Sequence, residues 1–427
     1  MKKIVTLTAL GTILVASNAM AAGFHLREQS AAAMGNAFAG ATAGAENASY
    51  AYYNVAGLTR QKGTQVNMGA TYISPRAEAE NVKWEDGKRD ADVNNIVHAA
   101  WVPNGTISHQ VDDKLTVGVS LNVPYGMITK YDSQWAGSDH GITSKLMSTT
   151  ITPMAAYKLT DKLSVGAGLQ MQYIKARLTG TSGGGALDTA LEGEAFDLGY
   201  QLGALYEFND KTRVGVNYRS EINHKLKGDI KSDRAKLAAQ LNPSDQTGFV
   251  ASLLNQDISA RLDTPAMLSV GAYHQLNDKW ALMAEYQRVY WSSFENLDIM
   301  GIDTNKPGLG LISRTKENWQ DTNFFALGAS YQIDNQWKLR LGIAKDQAAA
   351  KKAQRTPRIP DSDRTWYSAG LSYEYNDKLT FDFAYTYIQA KNASMDTRLT
   401  GNLEGAAVTA DYKNSVKLFG LSMNYKF

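Results

Sequence analysis

Apolar and polar residues alternate along much of this 427-residue chain, in segments that follow short polar turns. From Leu163 to Tyr173 every second residue is apolar, whereas Gln170 and Gln172 lie on the opposite face. The same period of two recurs in segments 213–221 and 379–387. A β-strand with one apolar and one polar face has this period. The pattern therefore predicts an all-β protein.

Six turns rich in Asn and Asp divide the chain, at residues 112–114, 160–162, 209–211, 277–279, 334–336 and 376–378. Such residues tolerate tight turns. The roughly 40 to 70 residues between successive turns are enough for one strand, a long loop and a returning strand. Six turns between seven hairpins predict 14 antiparallel strands. Short turns at one end and long loops at the other are typical of an outer-membrane β-barrel.

The ends of the predicted strands favour this barrel over a soluble β-sandwich, which would alternate in the same way but hide its apolar face. Aromatic residues stand at several strand ends, as in the girdle of a membrane barrel, namely Trp280, Trp337, Tyr375 and Tyr387. The final residues, FGLSMNYKF, resemble the carboxyl-terminal signature of bacterial outer-membrane barrels. We therefore expect a transmembrane β-barrel in the bacterial outer membrane, inserted there by the outer-membrane assembly machinery.

The first 63 residues depart from the alternating pattern. Two lysines and an apolar run from Ile4 to Val15 precede Ala19-Met20-Ala21, which predicts a signal peptide over residues 1–21. The alternative, an N-terminal membrane helix, needs a longer run. Residues 22–63 are rich in Ala, Gly and Ser and carry few charges, so we expect a hatch inside the lumen rather than a disordered tail. The barrel itself is predicted over residues 64–427.

Composition excludes several classes of function. The 44 basic and 42 acidic residues give a net charge of +2, so nucleic acid is not an expected partner. There is no cysteine, and the six histidines have no metal-ligand spacing, so we expect no metal and no other cofactor. No G-x-S-x-G or P-loop pattern occurs either, so we do not expect an enzyme.

One predicted strand is interrupted at Pro124-Tyr125-Gly126. Proline removes a hydrogen-bond donor from the ladder, and glycine weakens a strand. Because Met127, Ile128 and Tyr131 continue the apolar pattern, we expect a kink in the barrel wall rather than the end of the strand. Pro103 lies in the preceding strand, so a local opening between these two strands is expected.

The chain resembles the FadL/TodX family of outer-membrane transporters of long-chain fatty acids and other hydrophobic compounds. The resemblance rests on segments spread in order along the chain, AGFHL, AAWVPN, PYGM, YRSEI, RIPDSDRTWYSAG and LFGLSMNYKF. It implies a 14-stranded barrel, a hatch in its lumen and a kinked third strand with a lateral opening. It also implies passive transport, in which extracellular loops capture the ligand, an apolar pocket binds it, and it leaves sideways into the membrane.

The resemblance assigns roles to individual residues. It matches Phe24 to an N-terminal Phe that reaches into the ligand pocket, and Ala100 to a small residue facing the opening. Asn54, Val55 and Ala56 stand where the hatch of the family usually has Asn-Pro-Ala. The kink is matched by Asn122, Pro124, Tyr125 and Gly126.

Two departures leave the class of ligand open. Gly180 and Gln320 stand where the fatty-acid transporter of the family carries basic residues that can meet a carboxylate. A buried carboxylate without a cationic partner is costly, so either the ligand is neutral or other basic residues substitute. Arg213 and Arg219 are candidates at lumen-facing positions, although Arg219 can instead form a structural charge network with Glu221.

The loop from Lys227 to Gln256 is predicted to contain two short amphipathic helices, on either side of Asn242-Pro243. Their apolar residues suit either the capture of a hydrophobic small molecule or the packing of the loop on itself, and they include Leu237, Leu241, Phe249 and Leu253.

The remaining expectations concern the surroundings of the barrel. Lys175 and Arg177 share the lipid-facing side of their strand, where they can meet lipopolysaccharide phosphates. We expect a monomer in contact with outer-membrane lipid. The alternative function is a general diffusion porin for polar solutes, which requires an open lumen.

Overall fold

The computed structural model describes residues 23–84, 90, 92–182, 185–302, 310–397 and 407–427, so the predicted signal peptide lies outside the described residues. Twenty strand segments in this part of the chain form one sheet. The first ten are β1 (Thr64–Trp84), β2 (Ala100–Gln110), β3 (Leu115–Asn122), β4 (Gly126–Lys130), β5 (Thr143–Lys158), β6 (Leu163–Ser182), β7 (Leu187–Asn209), β8 (Thr212–Arg219), β9 (Ile222–Lys231) and β10 (Gln256–Thr264). The others are β11 (Met267–Gln275), β12 (Trp280–Val289), β13 (Asn296–Gly301), β14 (Leu311–Lys316), β15 (Thr322–Gln332), β16 (Trp337–Asp346), β17 (Arg364–Asn376), β18 (Leu379–Ala390), β19 (Ala393–Thr397) and β20 (Val408–Lys426).

Six pairs of consecutive segments continue one another across a short break, namely β3 with β4, β8 with β9, β10 with β11, β12 with β13, β14 with β15, and β18 with β19. The twenty segments therefore make up 14 barrel strands. Neighbouring strands are antiparallel, and β1 pairs with β20 from Gln65 opposite Lys426 to Trp84 opposite Val408. This last pairing closes the sheet, so the predicted 14-stranded barrel is confirmed.

The six predicted turns all join neighbouring strands, and most share one capping interaction. In the first turn, Oδ1 of Asp112 accepts hydrogen bonds from the backbone N–H groups of Lys114 and Leu115, at 2.7 and 2.8 Å. The same pair of bonds is made in four other turns by Asn209, Asn277, Asp334 and Asn376. This local bonding satisfies the turn backbone, which explains why Asn and Asp recur there.

The two faces of the wall differ as the alternation predicts. Leu169, Phe196, Leu327 and Leu421 are exposed on the outer face, where an apolar surface can contact lipid hydrocarbon. Polar side chains such as Gln170 are buried on the inner face. The period of two in the sequence therefore reports the two faces of the barrel wall.

Short helices are present in two regions. The hatch contains α1 (Ala31–Gly35), α2 (Ala41–Gly44) and the 3₁₀ helices Ala48–Tyr52 and Val55–Arg60. The long loop between β9 and β10 contains α3 (Asp233–Leu241) and α4 (Asp245–Leu253), which confirms the predicted helix pair. Further 3₁₀ turns span Trp291–Ser293 and Lys352–Gln354. Within the described ranges, no helix is both long enough and apolar enough to span a membrane.

The hatch fills the lumen and is attached to the wall by apolar and polar contacts. Residues 23–58 are buried apart from Glu46, which is half-buried. Phe38 contacts Trp366 of β17 edge to face, with ring centroids 5.9 Å apart. Nδ2 of Asn36 donates to the carbonyl oxygen of Ala329 in β15 at 2.8 Å. The predicted hatch inside the barrel is therefore present.

Gly342 in β16 tests how closely the hatch is docked. A Cβ atom at this position would lie 2.1 Å from the carbonyl carbon and oxygen of Asn36, so Gly342→Ala must displace the hatch. We expect a loss of about 1–3 kcal/mol in the free energy of unfolding, as for other overpacked sites, and a higher conductance in planar bilayers. Gly105→Ala is the matched control, since its Cβ would meet only the carbonyl oxygen of Asn67, at 3.7 Å. Equal stability and conductance of the two variants would contradict this docking.

Candidate ligand-binding site and wall opening

An apolar cavity lies inside the barrel, toward the long loops. It is lined mainly by aliphatic and aromatic side chains, among them Phe24, Leu146, Leu178, Leu226, Leu262 and Phe294. An apolar lining of this kind is typical of sites for small hydrophobic ligands. The cavity is therefore the candidate ligand-binding site.

Phe24 lies at the inner end of this cavity within a group of aromatic rings. Its ring centroid is 4.8 Å from that of Trp291 and 5.7 Å from that of Trp319. Tyr125 and Phe294 complete the group at 5.9 and 6.1 Å, both in edge-to-face contact. Edge-to-face pairs add to the stabilisation from burial, so these contacts hold Phe24 in the cavity wall.

The third barrel strand is interrupted between β3 and β4, at residues 123–125. The hatch segment Gly23–Leu26 runs antiparallel to this interruption, with His25 bridging to Tyr125. The N–H of Leu26 donates to the carbonyl of Pro124 at 2.7 Å, and the N–H of Gly126 donates to the carbonyl of Phe24 at 3.0 Å. Phe24 thus lines the cavity with its side chain and bonds the interrupted strand with its backbone carbonyl.

Two side chains satisfy the other backbone groups of the interruption. The amide group of Gln29 accepts from the N–H of Val123 at 3.1 Å and donates to its carbonyl at 2.7 Å. The hydroxyl of Ser148 in β5 accepts from the N–H of Tyr125 at 2.9 Å. Asn122, at the end of β3, donates its side-chain amide to Gln29. The backbone of residues 123–125 is thus bonded to the hatch and to β5.

In the part of the chain that the structure describes, the second barrel strand, β2, is paired on one side only next to the interruption of the third strand. Strand β2 pairs with β1 from Ala100 to His109. Its pairing with β3 covers only residues 105–110 and ends at Gly105 opposite Leu121. Beyond that pair, residues 100–104 have no ladder partner in β3 or β4 among the described residues. Ala100 and the interrupted strand therefore lie on opposite sides of a gap in the ladder.

Asn54 joins the hatch to the wall, although Val55 replaces the proline expected after it. Its side chain accepts from the N–H of Ala56 at 3.0 Å and donates to the carbonyls of Thr42 and Ala204 at 2.8 and 3.0 Å. Val55 and Ala56 are fully buried. The three residues therefore form part of the contact between the hatch and the barrel wall.

The two predicted arginines belong to β8 and contact the hatch from the barrel wall. Neither arginine borders the apolar cavity. Arg213 donates to the carbonyls of Ala43 and Gly44, at 2.7 and 2.6 Å. Arg219 donates to the carbonyl of Tyr52 at 2.8 Å, and its guanidinium stacks over the ring of that tyrosine. These contacts assign both arginines to the support of the hatch, and Glu221 bonds Asn223 rather than Arg219.

A different arginine borders the cavity. Arg358, in the loop between β16 and β17, lines it together with Glu317 from the loop between β14 and β15. Gly180 lies beside Arg358, since a Cβ built on this glycine would be 3.6 Å from Nη2. Gln320 donates to the carbonyl of Ala348 at 3.0 Å and so supports the same loop. Of the two positions at which the resemblance implies basic residues, Gly180 thus lies beside an arginine that comes from elsewhere in the chain.

The predicted capture loop exposes apolar side chains. Leu241 is 77% exposed, Phe249 57% and Leu237 52%, whereas Leu253 is partly covered by other residues of the loop. The described residues contain no group of three acidic or histidine side chains that could hold a metal ion. The exposed side chains of the loop between β9 and β10 therefore offer apolar contact to a ligand.

Several residues at this site were not predicted from the sequence. Trp291, Trp319 and Arg358 lie in loops, where no periodic pattern assigns a side chain to the lumen. Gln29 is an isolated polar residue of the hatch, and its partner Val123 is 94 residues away in sequence. The motif RIPDSDRTWYSAG contains Arg358, but nothing in the motif indicates that this side chain reaches the cavity.

Comparison with known proteins gives matches along the whole chain. The family described as outer membrane protein transport protein (OMPP1/FadL/TodX) matches residues 12–427. The chain is 31% identical to the 47 kDa outer membrane protein of Pasteurella multocida (strain Pm70), over 99% of this chain and 98% of that protein. It is 27% identical to the long-chain fatty acid transport protein of Escherichia coli (strain K12), over 98% and 97% of the two chains.

A solved structure shows the same fold. The FadL homologue of Pseudomonas aeruginosa superposes with a TM-score of 0.86 at 24% identity, over 95% of this chain and 100% of that one. These matches agree with the predicted outer-membrane location and with a transport protein rather than an enzyme. The chain belongs to the OMPP1/FadL/TodX family of outer-membrane transport proteins.

Proposed function

We propose that this protein carries hydrophobic compounds passively across the outer membrane and releases them sideways through the gap between β2 and the interrupted third strand. The observation that carries the proposal is the position of the segment Gly23–Leu26. Its Phe24 side chain borders the apolar cavity, and its backbone bonds the interruption at Pro124 and Gly126. The name of the Escherichia coli relative, a long-chain fatty acid transport protein, supports this class of substrate.

The first step is capture by the long loop. The exposed apolar residues of α3 and α4 give a hydrophobic molecule a surface to contact outside the membrane. No energy source is needed, because transfer from this surface to the enclosed apolar cavity removes further apolar area from water.

The second step couples binding to opening. A ligand that fills the cavity contacts Phe24, which already shares the space with Trp291 and Trp319. Displacement of Phe24 moves its carbonyl away from the N–H of Gly126 and removes one of the two backbone bonds across the interruption. The gap beside Ala100 is then free of the hatch segment, and the ligand can pass through it into the membrane.

The alternative, a general diffusion porin for polar solutes, fits this lumen less well. A porin needs an open aqueous channel. Here the hatch is buried against the wall, and its acidic residue Glu46 pairs with Arg340 of β16 at 2.6 Å. A bonded hatch favours transport of a ligand that leaves the barrel above the hatch over diffusion along the whole lumen.

The same proposal includes the surroundings of the barrel. Phe427 closes the last strand and is 70% exposed, so the assembly machinery can recognise this end of the chain. Lys175 and Arg177 contact Glu192 on the outer face and have part of their side chains exposed toward the lipopolysaccharide region. We propose that the protein functions as a monomer surrounded by outer-membrane lipid.

Bulky residues at the gap test lateral release. Ala100→Phe and Gly126→Val place side-chain volume on each side of the ladder gap. We expect each variant to lower the uptake of radiolabelled oleate about tenfold in cells that have no other outer-membrane route for it. Oleate binding by the purified variants should stay within about threefold of the wild type, because neither substitution fills the aliphatic part of the cavity.

Ala155→Phe, on the exposed face of the neighbouring strand β5, is the matched control and should not change uptake. Normal uptake by both gap variants, with the proteins present in the outer membrane at wild-type amounts, would rule out release through this gap.

A further inference from the structure

Arg358 brings a positive charge to the edge of a mainly apolar cavity. We propose that its guanidinium binds the carboxylate of an amphipathic ligand, so that this site prefers long-chain carboxylates to neutral hydrocarbons. The inference rests on the proposed function, because it assigns a class of substrate to the same cavity.

One edge of the guanidinium is free to bind a ligand. Nη1 makes all three hydrogen bonds of the group, to the carbonyls of Thr143 and Thr179 at 3.2 and 3.3 Å and to the hydroxyl of Ser144 at 2.9 Å. Nε and Nη2 donate to no group among the described residues. Such a two-nitrogen edge matches the two oxygens of a carboxylate.

The loop that carries Arg358 is fixed by three hydrogen bonds from other parts of the chain. The hydroxyl of Thr129 in β4 donates to the carbonyl of Arg358 at 3.2 Å. The hydroxyl of Tyr131 donates to the carbonyl of Pro357 at 2.8 Å, and Nδ2 of Asn414 in β20 donates to that of Pro360 at 2.9 Å. The arginine is thus positioned before any ligand arrives, which lowers the entropic cost of binding.

No carboxylate of the described residues contacts Arg358 directly, although Glu317 lies close enough to raise the pKa of the guanidinium. Burial lowers the pKa of Arg358 to about 10, so the group remains cationic at neutral pH. Its three acceptors are neutral, and it makes no ion pair with a carboxylate of the described residues. Arg358 is half-buried, and a cation that has lost part of its hydration without a directly paired carboxylate is costly, so a ligand carboxylate that pairs with Arg358 offsets part of that cost.

The position of Arg358 suits a ligand with one polar end. Arg358, Glu317 and Leu297 border both the apolar cavity and a second, more polar cavity nearer the loops. A ligand with its tail among the aliphatic side chains can therefore have its headgroup at the guanidinium. Lys145 also borders the apolar cavity, but it alternates with the buried residues Ser144 and Leu146, so its side chain belongs to the outer face.

Paired ligands test the proposal on the purified protein. Oleate and oleyl alcohol share a tail and differ only in the headgroup. We expect Arg358→Met to weaken oleate binding at least about tenfold and to change oleyl alcohol binding by less than about threefold, measured by calorimetry at pH 6.5. Arg355→Met is the matched control in the same loop, because Arg355 bonds Asp361 and Ser394 and does not border the cavity.

The outcomes separate this inference from the proposed function. An Arg358→Met variant that keeps its affinity for oleate would overturn the role of Arg358. So would equal losses of affinity for oleate and oleyl alcohol in both the Arg358→Met and the Arg358→Lys variants. A wild-type protein that binds oleyl alcohol but has no preference for oleate would overturn it as well. Failure of the wild type to bind either ligand would instead overturn the proposed function.

Glu317 gives the preference a dependence on pH. Oε2 of Glu317 accepts from the indole N–H of Trp319 at 2.8 Å, and burial raises the pKa of Glu317 to about 7. Below that pH the carboxyl is neutral. Above that pH Glu317 is ionised, and its negative charge competes with the ligand carboxylate for Arg358 and repels that carboxylate. The other charged or titratable residues that line the two cavities are Lys145, Glu192, Arg314, Lys316, Asp396 and His140.

We therefore expect oleate affinity to fall severalfold between pH 6 and 8.5, with a midpoint near 7, while oleyl alcohol affinity stays constant. Glu317→Gln should abolish the change and keep the affinity measured at pH 6. The same fall in the Glu317→Gln variant would show that another group controls the pH dependence and would remove Glu317 from the site.

Discussion

The barrel wall must satisfy its backbone hydrogen-bonding groups without water, and the rest of the structure depends on how it does so at the interrupted third strand. In the hydrocarbon region an unpaired N–H or C=O group costs several kcal/mol. Here the missing partners come from the hatch, through the backbone of Phe24 and Leu26 and the side chain of Gln29. The interrupted strand therefore keeps these backbone bonds only while the N-terminal segment is in place, and the same segment carries Phe24 into the cavity wall.

Buried charges serve the same docking. Arg213 and Arg219 bond backbone carbonyls of the hatch, and Arg340 pairs with Glu46. Each guanidinium has partners that offset its loss of water, as buried charged groups require. Arg358 differs from these arginines, because one edge of its guanidinium points to no protein acceptor among the described residues. The contrast between paired and partly paired arginines distinguishes the arginines that support the hatch from the one that we propose binds a ligand.

Most of the barrel could be predicted from the sequence because its signals are local. The alternation of apolar residues and the side-chain bonds of Asp112 and Asn376 act within a few residues, and so does the effect of Pro124 on its strand. The site could be predicted only in part, because alternation assigns a residue to a face but not to a height along the barrel. Arg213 does lie on the inner face, yet its partners are Ala43 and Gly44 of the hatch. Arg358 enters the cavity from a loop, where no period exists to indicate it.

The bonds between the N-terminal segment and the interrupted strand join main-chain atoms, and this affects how such a protein can diversify. A carbonyl or an N–H group is the same whichever residue carries it, so most substitutions among the cavity side chains leave these bonds intact. Selection for a new compound can then alter Leu226, Leu262 or Arg358 without a compensating change at Pro124. Under the proposed function, the choice of compound and its release can therefore change independently, although one short segment connects them.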